Sequence, residues 1–163
     1  MEYGLDPLIE QSSSILIVGS FPGPLSLKKG EYYAHPQNQF WQLLADVLGQ
    51  DRVLDNYKKK KALLAKFGIG LWDMVASCER SGAYDGNIRN VTPNNISGLL
   101  DQYPNVEAVF LNGRKAEALF NKHCKVSIRA RYLPSTSPAY AGISRNKKLK
   151  AWSSTLKFIR RSP

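Results

Sequence analysis

The apolar positions of this chain fall into four short runs, separated by stretches in which they recur every three or four residues. The runs are Ile15-Leu16-Ile17-Val18, residues 69–75, residues 106–111, and the alternating set Val126, Ile128, Ala130 and Tyr132. Each has the length of a strand, and the last has one face more exposed. Phe40, Leu43, Leu44, Val47 and Leu48 predict a helix from about Gln37 to Val47, stopped by Gly49. Leu63, Leu64 and Phe67 predict a second helix that carries Lys58-Lys59-Lys60-Lys61 and ends at Gly68. Thr92-Pro93 has the form of a hydroxyl cap followed by proline at the first helical position, opening a helix with Ile96, Leu99 and Leu100 that ends near Pro104. Asn112-Gly113 turns the third strand into a helix bearing Ala116, Leu119 and Phe120. A final helix sets Leu149, Trp152, Leu156 and Ile159 on one face and its basic residues elsewhere. The first fourteen residues are weakly patterned, with a short helix near residues 7–11, and residues 77–90 read as an extended polar surface loop.

Strands that alternate with helices four times predict a three-layer α/β/α domain over residues 1–163 with a four-stranded, mainly parallel central sheet. In such a sheet the carboxyl ends of the strands share one rim, where ligands bind. Residues 19–38, Asp73 and residues 133–139 follow three of the predicted strands and would meet there. The first of these segments is longer than a connection requires, and it is rich in aromatics and amides.

Composition narrows the function. Lys and Arg total 23 against 13 acids, a net charge of +10. Residues 142–163 hold seven of the basic residues and no acid. An excess of this size favours a polyanionic partner, nucleic acid before a membrane surface. No apolar run approaches the roughly 18–20 residues of a membrane span, and the N-terminus, with Glu2 and Asp6, lacks a basic leader. The expected location is the cytoplasm. Cys78 and Cys124 are too few for an iron–sulfur cluster, and with His35 and His123 they show no zinc spacing. We expect reduced thiols, no metal and no cofactor. Neither GxxxxGK[ST] nor GxGxxG is present, which ranks a nucleotide-binding α/β hydrolase last.

Three segments together carry a family resemblance. They are Gly19-Ser20-Phe21-Pro22-Gly23 with Tyr32-Tyr33-Ala34-His35-Pro36-Gln37-Asn38-Gln39-Phe40-Trp41, then Gly70-Leu71-Trp72-Asp73, and Leu133-Pro134-Ser135-Thr136-Ser137-Pro138. With the Asn112-Gly113-Arg114 turn they resemble the uracil-DNA glycosylase superfamily, and within it the hypoxanthine (deoxyinosine) branch. The resemblance implies a monofunctional, metal-free base-excision-repair enzyme, a monomer acting on DNA that contains deaminated bases. It implies catalysis by Asn38 and stacking of the extruded base on Tyr33. Asp73 falls where relatives carry the Asn that reads the base edge, and residues 133–138 match the loop that enters the duplex. Phe21 stands where mismatch-type relatives have a water-positioning Asn and classical uracil enzymes an Asp. Leu133 replaces the His of the classical enzymes. Both departures argue against classical uracil chemistry.

An Asn accepts no proton at neutral pH, so Asn38 can place a water or bond the base. Its structural alternative is a helix N-cap; that of Asp73 is a backbone hydrogen bond, and that of Tyr33 and Phe21 plain packing. Gly19, Ser20, Phe21 and Gly23 are expected to form the pocket wall, with backbone N–H groups able to relieve charge on a departing base. Pro134, Ser135, Thr136, Ser137, Pro138, Arg145 and Lys147 are the candidate DNA contacts, and Tyr140 or Ala139 a filler for the gap left by the base. His35 reads as a loop-fixing residue, and Asp85 and Asn87 as possible support. The competing readings are a mismatch-type uracil or thymine glycosylase and a catalytically weak nucleic-acid-binding module.

Overall fold

The computed structural model describes residues 1–51, 55–82, 87–140 and 142–159. Its elements in chain order are β1 (Glu2–Tyr3), β2 (Ile15–Gly19), α1 (Pro24–Lys29), α2 (Phe40–Val47), α3 (Tyr57–Phe67), β3 (Ile69–Asp73), β4 (Val75–Arg80), β5 (Ile88–Pro93), α4 (Ile96–Gln102), β6 (Ala108–Asn112), α5 (Arg114–His123), β7 (Arg129–Leu133) and α6 (Arg145–Trp152), followed by a 3₁₀ turn over Ser153–Phe158.

The central sheet has the order β3-β2-β6-β7, and every pair in it is parallel. Side chains alternate across a strand, so β2 splits its burial between two cores. Ile15 and Ile17 join Phe40, Leu44, Leu64, Phe110 and Trp152 on one face. Leu16 and Val18 join Val109, Leu111, Ala116 and Phe120 on the other. A parallel sheet needs this cover on both faces, which is why its strands read as continuous apolar runs. The four predicted strands and the three-layer architecture stand, with bounds shifted by up to three residues. Helix α2 buries six of its eight residues, as expected of a helix packed both on the sheet and against the neighbouring α6. Helix α3 and its Gly68 terminus also stand, Gly68 being left-handed at φ 66°.

Four expectations are corrected. First, part of the segment from residue 77 to 90 is paired, not a loop. β4 joins β1 and β5 in a second, antiparallel sheet of order β1-β4-β5. Its strands are polar and their ladder is irregular between Val75 and Glu79, which hides the period-two signal. Asp85 lies outside the described residues. Second, Thr92-Pro93 ends β5, where Thr92 pairs with Ser77 and Pro93 with Val75. The cap of α4 is Asn95, whose Oδ1 accepts the Gly98 N–H at 2.9 Å. Third, residues 7–11 form no helix: Leu8 bridges to Leu71 at the β3 edge. The helix expected from Gln37 starts at Phe40, and α1 interrupts the long loop before it. Fourth, the last helix tightens to 3₁₀ after Trp152, which shifts its facing. Thr155 is buried and Leu156 is 46% exposed, and the inward face of α6 carries Lys148.

Candidate active site

The carboxyl ends of all four parallel strands open into one cavity of about 560 Å³, within the range of small-molecule sites. Gly19 ends β2, Asp73 ends β3 and Asn112 ends β6; Ser135 follows β7 by two residues. The strand order reverses direction beside β2, which runs to β3 on one side while β6 and β7 lie on the other. This is the crevice in which open α/β sheets bind ligands.

The first wall is residues 19–38. Gly19 is required by what lies above it: a Cβ there would come within 2.5 Å of Asp73 Oδ1 and 3.1 Å of the Tyr33 hydroxyl. The missing side chain lets these two polar groups crowd the strand end. The peptide bends from β3 into β4 at this point. The Met74 N–H donates to Gly19 O at 2.8 Å, and Asn94 Nδ2 donates to Asp73 O at 2.8 Å. Asp73 is 4% exposed and still lines the cavity.

Tyr33 has φ 53°, a strained conformation for a bulky residue and the kind that clusters at functional sites. Phe40 stacks on its ring at 4.1 Å and 19° between planes. The neighbouring Tyr32 is buried and donates its hydroxyl to Asp6 O at 2.6 Å. Burial, with the Asp73 charge next, pushes its phenol far above the ordinary tyrosine value, so it is a neutral donor. Trp41 Nε1 donates to Tyr32 O at 2.9 Å. Asn38 Oδ1 accepts the Phe40 N–H at 2.9 Å, which settles the orientation of its amide. This is the first-turn contact expected of its structural alternative, although Gln39 holds the N-cap position. Asn38 lines the cavity as well. His35 faces solvent, and its Nδ1 accepts the Gln37 N–H at 3.1 Å, the loop-fixing part expected of it.

The second wall is residues 135–140. Asn112 organises it: Nδ2 donates to Tyr33 Oη at 3.2 Å and to Thr136 Oγ1 at 3.1 Å, while Oδ1 accepts the Thr136 N–H at 3.1 Å. Gly113, at φ 100°, lets β6 leave against Ser135, whose Cβ would lie 3.1 Å from an added methyl. Trp152 Nε1 donates to Pro134 O at 2.9 Å from beneath. The Gln39 N–H donates to Thr136 O at 3.0 Å and so joins the two walls.

Gly19, Ser20, Phe21, Gly23, Tyr33, Asn38, Asp73, Ser135, Thr136, Ser137 and Pro138 all line the cavity. Pro134 lies just below it. Arg145 is turned away to an ion pair with Asp46 of α2, and Lys147 is exposed on α6. Sequence reasoning missed four contributors. The sequence marks Asn112 only as part of a turn. Arg114 and Lys115, at the start of α5, are exposed at the cavity and carry charge where it was not sought. Arg80 of β4 donates to Pro22 O at 2.6 Å, sits 5.0 Å from the Phe21 ring and pairs with Glu2, bracing the first loop from the second sheet. Among the described residues no group of three His, Cys, Asp or Glu could hold a metal, and no helix is long and apolar enough to cross a membrane.

Residues 7–158 match the model of the uracil DNA glycosylase superfamily. The chain belongs to that superfamily. It is 40% identical over 113 residues to a protein named hypoxanthine DNA glycosylase from Methanosarcina barkeri, covering 69% of this chain and 72% of that one. A protein of the same name from Methanosarcina acetivorans is 32% identical over 145 residues, covering 89% and 92%. A solution NMR structure of a candidate uracil DNA glycosylase from Methanosarcina acetivorans superposes with a TM-score of 0.80 at 32% identity, over 95% of this chain and 96% of that one.

Proposed function

We propose that this chain is a monofunctional DNA glycosylase that hydrolyses hypoxanthine from deoxyribose, working as one domain and as a monomer in the cytoplasm. One observation carries the reading: Tyr33 and Asn38 of the first wall and Asp73 at the end of β3, from two separate stretches of sequence, line a single cavity. The similarity to two proteins named hypoxanthine DNA glycosylase supports the choice of base.

The target nucleotide must leave the duplex, at a cost of a few kcal/mol that is least at a mispair. Phe40 covers one face of Tyr33, and the extruded base stacks on the other. Asp73 reads the base edge. Deamination turns the N1 acceptor of adenine into the N1–H donor of hypoxanthine, and a carboxylate oxygen accepts that hydrogen. The same carboxylate repels the N1 lone pair of adenine. The glycosidic bond then breaks through a transition state with oxocarbenium character. Asn38, its amide held by the Phe40 N–H, places the water that attacks C1′ or bonds the departing base. Arg114 and Lys115 at the rim meet backbone phosphates.

A second reading has two observations in its favour: Phe21 stands at the water-positioning place and Leu133 at the imidazole place. It makes the protein a binding module with little turnover. One experiment separates the readings. Duplex oligonucleotides containing inosine, uracil, xanthine or a T·G pair are incubated with the protein and cleaved by alkali. The expected result is strand scission at inosine first. Release from none of the four, with retained binding to abasic DNA, would establish the binding module. No borohydride-trapped adduct is expected, since no lysine is proposed as a nucleophile.

A further inference from the structure

Lys148 is 2% exposed on the inward face of α6. Its ammonium donates to Tyr140 O at 2.9 Å and to Gln39 Oε1 at 3.3 Å, and it sits 5.1 Å from the Tyr140 ring centroid. Both hydrogen-bond acceptors are neutral. The described ion pairs involve Asp55, Glu2, Glu117 and Asp46, and none of them includes Lys148. Arg80, whose side chain is fully buried, by contrast faces Glu2. A desolvated ammonium without an anion is costly, and an apolar residue of similar length would be expected to serve the fold as well or better. Burial also holds the Lys148 ammonium below the ordinary lysine value.

The location gives this cost a purpose. Gln39 is next to Asn38, and its N–H donates to Thr136 O in the opposite wall at 3.0 Å. Tyr140 lines the cavity at the far end of that wall. Lys148 is therefore bonded to both walls at once, from behind the site. We propose that Lys148 is a positioning residue, whose buried ammonium locks the Asn38–Gln39 turn to the Tyr140 end of the second wall and so sets the placement of Asn38. The inference rests on the glycosylase reading for its kinetic consequence only. It predicts a split: the chemical step depends on Lys148, while DNA affinity, dominated by phosphate contacts, does not.

The test uses Lys148→Met and Gln39→Leu, which break the same contact from opposite ends. For Lys148→Met, the melting temperature is expected to stay level or rise. The single-turnover rate on inosine duplex should fall about 100-fold, the loss that an ångström of misplacement can cause. The Kd for the same duplex should stay within about twofold. Gln39→Leu should slow turnover in the same direction, and the double variant should add little to Lys148→Met alone. Amide exchange at Gln39 and Tyr140, followed by NMR, should accelerate about tenfold in both variants, with the rest of the sheet unchanged.

Wild-type turnover and exchange in both variants would overturn the proposal. So would a joint loss of rate and melting temperature with exchange raised throughout, which marks a structural defect. If Lys148→Met does not fold, Gln39→Leu decides. If the wild-type protein releases no base from any duplex, the glycosylase reading falls, and the exchange measurement still decides whether Lys148 holds the two walls.

Discussion

The two walls of the cavity are held in place by different physics. The wall of residues 19–38 is anchored by aromatic burial: Phe40 is fully buried, Tyr32 and Trp41 nearly so, and Tyr33 is stacked on Phe40. The wall of residues 135–140 has few apolar anchors and is tied down by side-chain hydrogen bonds from Asn112, Trp152 and Lys148. Apolar packing is non-directional and strong in sum. Hydrogen bonds are weaker net but fix orientation, and their loss leaves buried groups unsatisfied. In our reading the rigid aromatic wall holds the stacked base and Asn38, while the polar wall meets the duplex.

This contrast can be broken from either side. The largest effect on stability is expected from Phe40→Ala, about 3–5 kcal/mol for a fully buried aromatic, measured by denaturant unfolding; a loss below about 1 kcal/mol would mean that the first wall does not rest on packing. Asn38→Ala should reduce single-turnover excision by about 100–1000-fold, as removing one preorganised polar group from an active site does, with binding to abasic DNA retained; unchanged turnover would refute its assigned role. Asn112→Ala leaves the Thr136 N–H unpaired and should cost about 1–3 kcal/mol of stability, with faster exchange at Thr136 but not at residues 40–47. The smallest effect is expected from Lys115→Ala, which should weaken binding to every DNA sequence alike and reduce the salt slope by about one. A sequence-dependent loss would mean that Lys115 reads bases instead.

Much of this architecture was legible in the chain. Ile15-Leu16-Ile17-Val18 is apolar at every position because both of its faces are covered, and that needs a sheet between two layers. Gly68 ends α3 because the chain turns left-handed there. Residues 77–80 and 88–93 were not legible, because a small polar sheet with an irregular ladder has no clear period. Thr92-Pro93 was misread for a related reason: hydroxyl plus proline suits a helix start and a strand end alike, and pairing with Ser77 and Val75 decided between them. Lys148 escaped notice because a lysine among lysines on a basic helix reads as solvated surface. Its burial follows from Trp152, four residues on, being pinned beneath Pro134.

The sequence by itself determined the parallel sheet, the rim at its carboxyl ends and most of the residues that line the cavity. Those depend on hydrophobic period and on motifs contiguous along the chain, which are local properties. The tertiary structure decided which polar groups meet. Asp73 and Tyr33 converge over Gly19, Asn112 bonds both Tyr33 and Thr136, Arg80 braces Phe21, and Lys148 reaches both walls. A hydrogen bond between residues separated by 24 to 109 positions depends on distance and angle in space. Nothing in the local pattern of either partner records it.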